Sequence, residues 1–179
     1  MSRRPAVFVD RDGVINRRLP GAYVRSWDEF RFLPGARAGL RLLREAGYLL
    51  IVITNQRGIG RGLMTEADLA DVHRRMQLEL LRAGAGVDAI FHCPHDLGAG
   101  CGCRKPRPGM LSQALGRFAI DTARSWVVGD SLSDLEAGRA IGIPGILVVP
   151  RGGERPPGVR SAGSLLSAAR AIVAGRWQR

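Results

Sequence analysis

The sequence predicts an α/β fold built on a Rossmann-like, doubly wound parallel sheet. Three observations lead there. Short runs of Val, Ile and Leu, too brief for helices, recur along the chain; several end abruptly in polar residues; and the stretches between them carry helical periodicity. At 179 residues the chain suits one domain, 1–179, with a core large enough to fold unaided.

The first run, Ala6-Val7-Phe8-Val9, passes straight into Asp10-Arg11-Asp12-Gly13. Side chains alternate along an extended backbone, so Asp10 and Asp12 share a face, Arg11 is directed elsewhere, and Gly13 lets the chain turn. Two carboxylates that close repel each other unless a cation lies between them. They therefore read as hard-metal ligands or as a nucleophile and general acid, with a strand end carrying two solvated acids as the plain alternative. Pro34 to Ala46 places Leu40, Leu43 and Ala46 on one helical stripe, and Tyr48 to Asn55 is a buried strand ending in Thr54 and Asn55. Thr65 to Ala83 is a helix opening on Thr65-Glu66-Ala67-Asp68, close to a capping box. Ser125 to Asp130 is a strand with an acidic end, and Ser133-Asp134-Leu135-Glu136 fits a capping box for the helix after it. Gly145 to Val149 is a strand with no polar ending; a turn-rich stretch at 151–158 leads to a short helix near Leu165 to Ala174, with Trp177 packing back. Ligands of such sheets bind beyond the carboxyl ends of the strands, where Asp10, Thr54 and Asp130 would meet.

Two features of composition bear on chemistry. Lys105 is the only lysine among 27 cationic side chains, which suggests a site requiring a compact ammonium rather than a planar guanidinium. All three cysteines lie in the stretch Cys93-Pro94-His95 to Cys101-Gly102-Cys103. This C-x-H…C-x-C spacing suits one tetrahedral Zn²⁺ with no open position, hence a structural site; three cysteines cannot all pair with one another, and His92 is off-register. The formal net charge of +11 raises nucleic-acid binding, but the arginines are scattered and aromatics are sparse. No apolar run is long enough to span a bilayer and no targeting peptide is recognisable, so the expectation is a cytoplasmic protein without membrane or nucleic-acid partners.

Taken in order, Asp10-Arg11-Asp12-Gly13-Val14, Thr54-Asn55-Gln56, Arg104-Lys105-Pro106 and Gly129-Asp130-Ser131-Leu132-Ser133-Asp134 resemble the four motifs of the haloacid dehalogenase superfamily of phosphatases. The segments from Thr54 to Gly62, Cys93 to His95 and Cys101 to Met110 are similar to its heptose-bisphosphate phosphatase family, the match covering about residues 5–150. The resemblance implies that Asp10 attacks phosphorus to form an aspartyl-phosphate, while Asp12 protonates the leaving sugar oxygen and later activates water. It implies Mg²⁺ held by Asp10, Asp130 and the main-chain carbonyl of Asp12, with Asp134 beside the ion or in the helix cap. Thr54, Asn55 and Gln56 would donate to the phosphate, Lys105 would neutralise it, and Tyr23, Arg57, Arg61 and Arg104 would hold the rest of the substrate.

The substrate so implied is a small sugar phosphate, heptose 1,7-bisphosphate losing its 7-phosphate, acted on by a monomer with no large cap domain. Histidinol phosphate or another sugar phosphate is the alternative, because the five-residue spacer from His95 to Cys101 is histidinol-like and Ser131 stands where some heptose enzymes have lysine. A zinc-stabilised nucleic-acid-binding module is the alternative outside enzymes.

Overall fold

The computed structural model of the protein describes residues 3–177. The apolar runs form β1 (Ala6–Val9), β2 (Leu49–Asn55), β4 (Trp126–Gly129) and β5 (Gly145–Val148). Two strands that the sequence reading did not anticipate complete the sheet, β3 (Ala89–Cys93) and the two-residue β6 (Ser161–Ala162). The order is β3-β2-β1-β4-β5-β6 and every pairing is parallel.

A parallel sheet needs a crossover after each strand, and those crossovers cover both faces. The period of two along each strand divides the core accordingly. Val7, Val9, Leu50, Val52 and Val128 face one side, against α1 (Ala36–Glu45), α3 (Glu66–Arg82) and α6 (Leu165–Val173) through Leu40, Leu43, Val72, Met76 and Ala168. Phe8, Ile51, Ile53 and Val127 face the other, against α4 (Gly109–Arg117) and α5 (Leu132–Arg139) through Met110, Leu111, Ala114 and Ala137. Trp177 packs back on the first core, its ring 6.3 Å from that of Trp126.

The remaining differences from expectation have local causes. β3 is an edge strand whose central residues are only half-buried, so it lacks the all-apolar signature of the inner strands. α2 (Arg57–Gly60) is a single turn, and α4 starts on Gly109. The cap of α5 is Ser131, not Ser133: Ser131 accepts from the Ser133 backbone while Asp134 returns a bond to the Ser131 amide, so the box sits two residues earlier. Order reverses between β1 and β4, and at that switch point the sheet opens a crevice beyond its carboxyl ends.

Arg11 is fully buried beneath this crevice, and its Nη1 lies 3.1 Å from Nε2 of His73 on α3. Arginine only donates, so that imidazole nitrogen accepts and the ring is neutral. Burial, reinforced by the Arg11 charge and by His92, holds His73 down to about 3, against an ordinary value of 6.5. The unfolded chain therefore takes up a proton first: this contribution to stability is intact above pH 6.5 and is lost as pH falls towards 3. His73→Gln keeps an acceptor but cannot titrate. Between pH 7.5 and pH 5 the parent should lose about 2 kcal/mol more stability than the variant in denaturant titrations; equal losses would show that His73 does not carry the effect.

Candidate active site

Asp10 follows β1 directly, and its amide is held by the Val128 carbonyl of the neighbouring strand β4. The carboxylate is thereby fixed at the switch point. Gly13 then turns the chain with φ +93°, a conformation that favours glycine, and a Cβ there would lie 1.9 Å from Oδ2 of Asp130. The missing side chain is what lets the end of β4 bring Asp130 against the first acidic segment. Asp10, Asp130 and Asp134 present carboxylate oxygens all within 4.8 Å of one another.

Lys105 reaches into this cluster and is itself 4% exposed. Its ammonium has three donors and three acceptors: Asp10 Oδ1 at 2.8 Å, Asp134 Oδ1 at 2.6 Å and the Ile53 carbonyl at 2.8 Å. Although burial works against the charge, the carboxylates of Asp10 and Asp134 raise its pKa above the usual lysine value. Asp10 is pushed up to about 7 by burial, only partly offset by Lys105 and reinforced by Asp134 and Asp130. Burial also lifts Asp130 to about 6, against the opposing charge of Arg18, which donates to its Oδ1 at 3.0 Å. One buried ammonium does not neutralise three clustered acids, so this oxygen-only group fits a hard divalent cation. Asp12 is outside it: its carboxylate points to other partners, which leaves only its main-chain carbonyl for such an ion.

Asp12 instead receives both oxygens' contacts from Arg11 Nη2, at 3.0 and 2.9 Å, with Asn16 Nδ2 at 2.9 Å and Gln56 Nε2 at 2.8 Å. Burial opposes its ionisation, yet the Arg11 charge and these donors outweigh it and hold Asp12 below the usual carboxylate range. Two expectations are corrected here. Arg11 is not directed away from the acids but curls back onto Asp12, the one carboxylate it pairs with among the described residues. Gln56 is 1% exposed and engages Asp12, Thr54 Oγ1 and Arg11, so it orients the acid rather than touching substrate.

A cavity of about 490 Å³ opens over these groups. Asp10, Asp12, Thr54, Asn55 and Lys105 line it, together with Tyr23, Arg57, Arg61 and Arg104. Asn55 also braces the lysine: its amide exchanges bonds with the Lys105 carbonyl at 3.2 Å and the Lys105 amide at 3.1 Å. Arg57 is paired with Asp96, and Arg104 donates to the His95 carbonyl at 3.4 Å. Three residues outside the expected set complete the site: Arg11, Asn16 and Arg18. Arg11 was legible only as the residue between two acids, and Arg18 is one arginine among many with no local signature.

The cysteine cluster lies behind this wall. Cys93 ends β3, and its Sγ is 3.5 Å from His95 Nδ1 and 3.7 Å from Cys101 Sγ; His95 Nδ1 is 3.2 Å from Cys103 Sγ. A zinc tetrahedron with ordinary bond lengths has edges of about 3.8 Å between sulfurs and about 3.6 Å from sulfur to nitrogen, so the donor set fits that ion. Burial pushes the Cys93 thiol up to about 12. Cys101, despite the opposing effect of burial, is drawn down to about 7 by bonds from the Arg104 backbone and the neighbouring thiols. Metal capture must therefore displace protons and strengthen with pH. Gly60 on α2 sits flush on this loop, where a Cβ would meet the Asp96 amide at 2.6 Å, so the loop is a backing for α2 as well as for Lys105. Cys101→Ser should release about one zinc per chain on elemental analysis and lower thermal stability more than it lowers turnover per folded molecule. Parent protein prepared without chelator and found zinc-free would refute the assignment.

Comparison with known proteins bears on this arrangement. The HAD-hydrolase-like family model matches residues 102–164. The D-glycero-alpha-D-manno-heptose-1,7-bisphosphate 7-phosphatase of Mycobacterium tuberculosis is 49% identical over 131 residues, 73% of this chain and 69% of that protein. The corresponding beta-heptose enzyme of Rhodopseudomonas palustris is 44% identical over 150 residues, 80% and 82% of the two chains. Among solved structures, the heptose 1,7-bisphosphate phosphatase of B. bronchiseptica, complexed with magnesium and phosphate, superposes with a TM-score of 0.86 at 36% identity, covering 95% of this chain and 98% of that one. With identity of this order across most of both sequences and a shared fold, the chain belongs to the heptose-bisphosphate 7-phosphatase family of haloacid dehalogenase-like hydrolases.

Proposed function

We propose that the protein removes the 7-phosphate of D-glycero-D-manno-heptose 1,7-bisphosphate, with Mg²⁺ at the acidic cluster and through an aspartyl-phosphate on Asp10. The observation that carries the chemistry is the pairing of two unlike carboxylates under one cavity: Asp10 bonded to the Lys105 ammonium, and Asp12 held ionised by Arg11. The names of the relatives support the sugar.

The roles follow from what each side chain can do. Lys105 bonds Oδ1 of Asp10, and Oδ2 has no hydrogen-bond partner among the described residues, so Oδ2 is the oxygen free to attack phosphorus. Mg²⁺ on Asp10, Asp130 and the Asp12 carbonyl would supply charge for the phosphoryl oxygens and orient the ester. Lys105 neutralises the same oxygens from its fixed position. Asp12 stands ready as a base for the water that cleaves the acyl-phosphate. A phosphate dianion beside it adds like charge, raises its pKa and so favours the protonated form that the leaving sugar oxygen needs first. Thr54 and Asn55 supply polar groups at the cavity floor, and Tyr23, Arg57, Arg61 and Arg104 form the wall that meets the rest of the substrate.

Purified protein with Mg²⁺ should release inorganic phosphate from heptose 1,7-bisphosphate and leave the phosphate at C1, which phosphorus NMR distinguishes. Asp10→Asn should abolish that release with the fold unchanged by circular dichroism, because the isostere keeps shape and loses the anionic nucleophile. Phosphate trapped on any residue other than Asp10 would sink the mechanism. Lys105→Arg should lower turnover at least roughly tenfold, about 1.4 kcal/mol of transition-state stabilisation. A planar fork cannot aim donors at Asp10, Asp134 and the Ile53 carbonyl from one point. Parent-like kinetics in the arginine variant would remove the lysine from the catalytic set.

A further inference from the structure

Five cationic side chains line the catalytic cavity, and three of them make hydrogen bonds or ion pairs that fix what they do. Lys105 is fully engaged by two carboxylates and a carbonyl, Arg57 is paired with Asp96 of the zinc loop, and Arg104 is tied to the His95 carbonyl. Arg61 has no side-chain bond among the described residues and shares α2's end of the wall with Arg57. Arg18 differs from all of these. It stands on the irregular loop after β1, whose residues Leu19 to Val24 line the same cavity, and its side chain is 55% exposed. It makes one contact, from Nη2 to Oδ1 of Asp130.

That contact is to a carboxylate of the group that fits a divalent cation. A half-exposed, single-contact ion pair is weakly held, and a dication on Asp130 both takes the acceptor and repels the guanidinium. The loop that carries Arg18 is anchored at its start by the Arg17 amide on the Arg31 carbonyl and turned by the Ala22 amide on the Leu19 carbonyl, so the guanidinium, once released, remains over the cavity. A guanidinium in that position offers a planar fork that matches a phosphate group bidentately.

We propose that Arg18 is a specificity residue, which passes from Asp130 to the phosphate the reaction does not remove. The inference rests on the bisphosphatase reading above and adds the residue that reads the second phosphate. It couples metal to substrate: cation binding frees the arginine, and the freed arginine recognises a bisphosphate in preference to a monophosphate.

The test compares full-length parent, Arg18→Gln and Arg18→Lys. In calorimetric titration with Mn²⁺ and no substrate, Arg18→Gln should bind the ion at least about threefold more tightly, since a competitor for Asp130 is gone. In kinetics with Mg²⁺, the ratio of KM for heptose 7-phosphate to KM for heptose 1,7-bisphosphate should fall about tenfold in Arg18→Gln, with kcat changing far less, and be partly restored in Arg18→Lys. An unchanged KM ratio, or Mn²⁺ affinity equal to or weaker than the parent's, overturns the inference. If neither heptose phosphate is turned over while 4-nitrophenyl phosphate is, the bisphosphatase reading has failed by itself. The same ratio measured with fructose 6-phosphate and fructose 1,6-bisphosphate then decides on Arg18.

Discussion

Four acidic side chains converge on one end of a parallel sheet, and two buried cations make that convergence possible. Lys105 bonds Asp10 and Asp134; Arg11 bonds Asp12. A buried carboxylate without a partner costs several kcal/mol, and a set of four would also repel one another. The cations therefore do more than assist a reaction: they let Asp10 and Asp12 sit beneath a cavity at all. They also make the two acids unlike. Burial and the neighbouring acids push Asp10 up to about 7, while Arg11, Asn16 and Gln56 outweigh burial at Asp12 and hold it down. In the proposed reaction Asp10 would be the nucleophile, completed by a dication, and Asp12 the base, ionised in advance.

Lys105 has to arrive at that point from a segment with no regular structure. Its backbone is clamped to Asn55 at the end of β2, and the stretch before it is gathered by the cysteines and His95. Arg107 adds bonds of 2.6 Å to the carbonyls of Gly100 and Cys101, drawing the same stretch together from the other side. The cysteines and His95 thus act on Lys105 at a distance, by holding the stretch that keeps one ammonium in place. Because α2 rests on the same loop through Gly60 and the Arg57 to Asp96 pair, the cavity wall and Lys105 share one backing.

The arginines serve in two kinds of place. Several arginines make ion pairs on exposed helix faces, such as Arg74 and Arg75 with Asp71 or Arg82 with Glu79, which contribute little to stability. A smaller set gathers round the cavity, where positive potential suits a substrate carrying phosphates.

The sequence by itself determined the sheet, its parallel sense and the acids at its edge, because those depend on local pattern: short β-branched runs, period-two burial, a glycine after paired acids. It also determined the cluster of cysteines with His95 and the singular lysine, since spacing and composition are properties of the chain. Edge strands β3 and β6 escaped because partial burial and two-residue length leave little pattern to read. Only the tertiary structure decided which polar residues face the cavity. Gln56 and Arg11 are close in sequence to residues that line the cavity, yet both are buried beneath them. Arg18 has no signal in the chain and reaches Asp130 across 112 positions. Hydrogen-bond partners so far apart are set by the packing of elements against one another, which no local periodicity encodes.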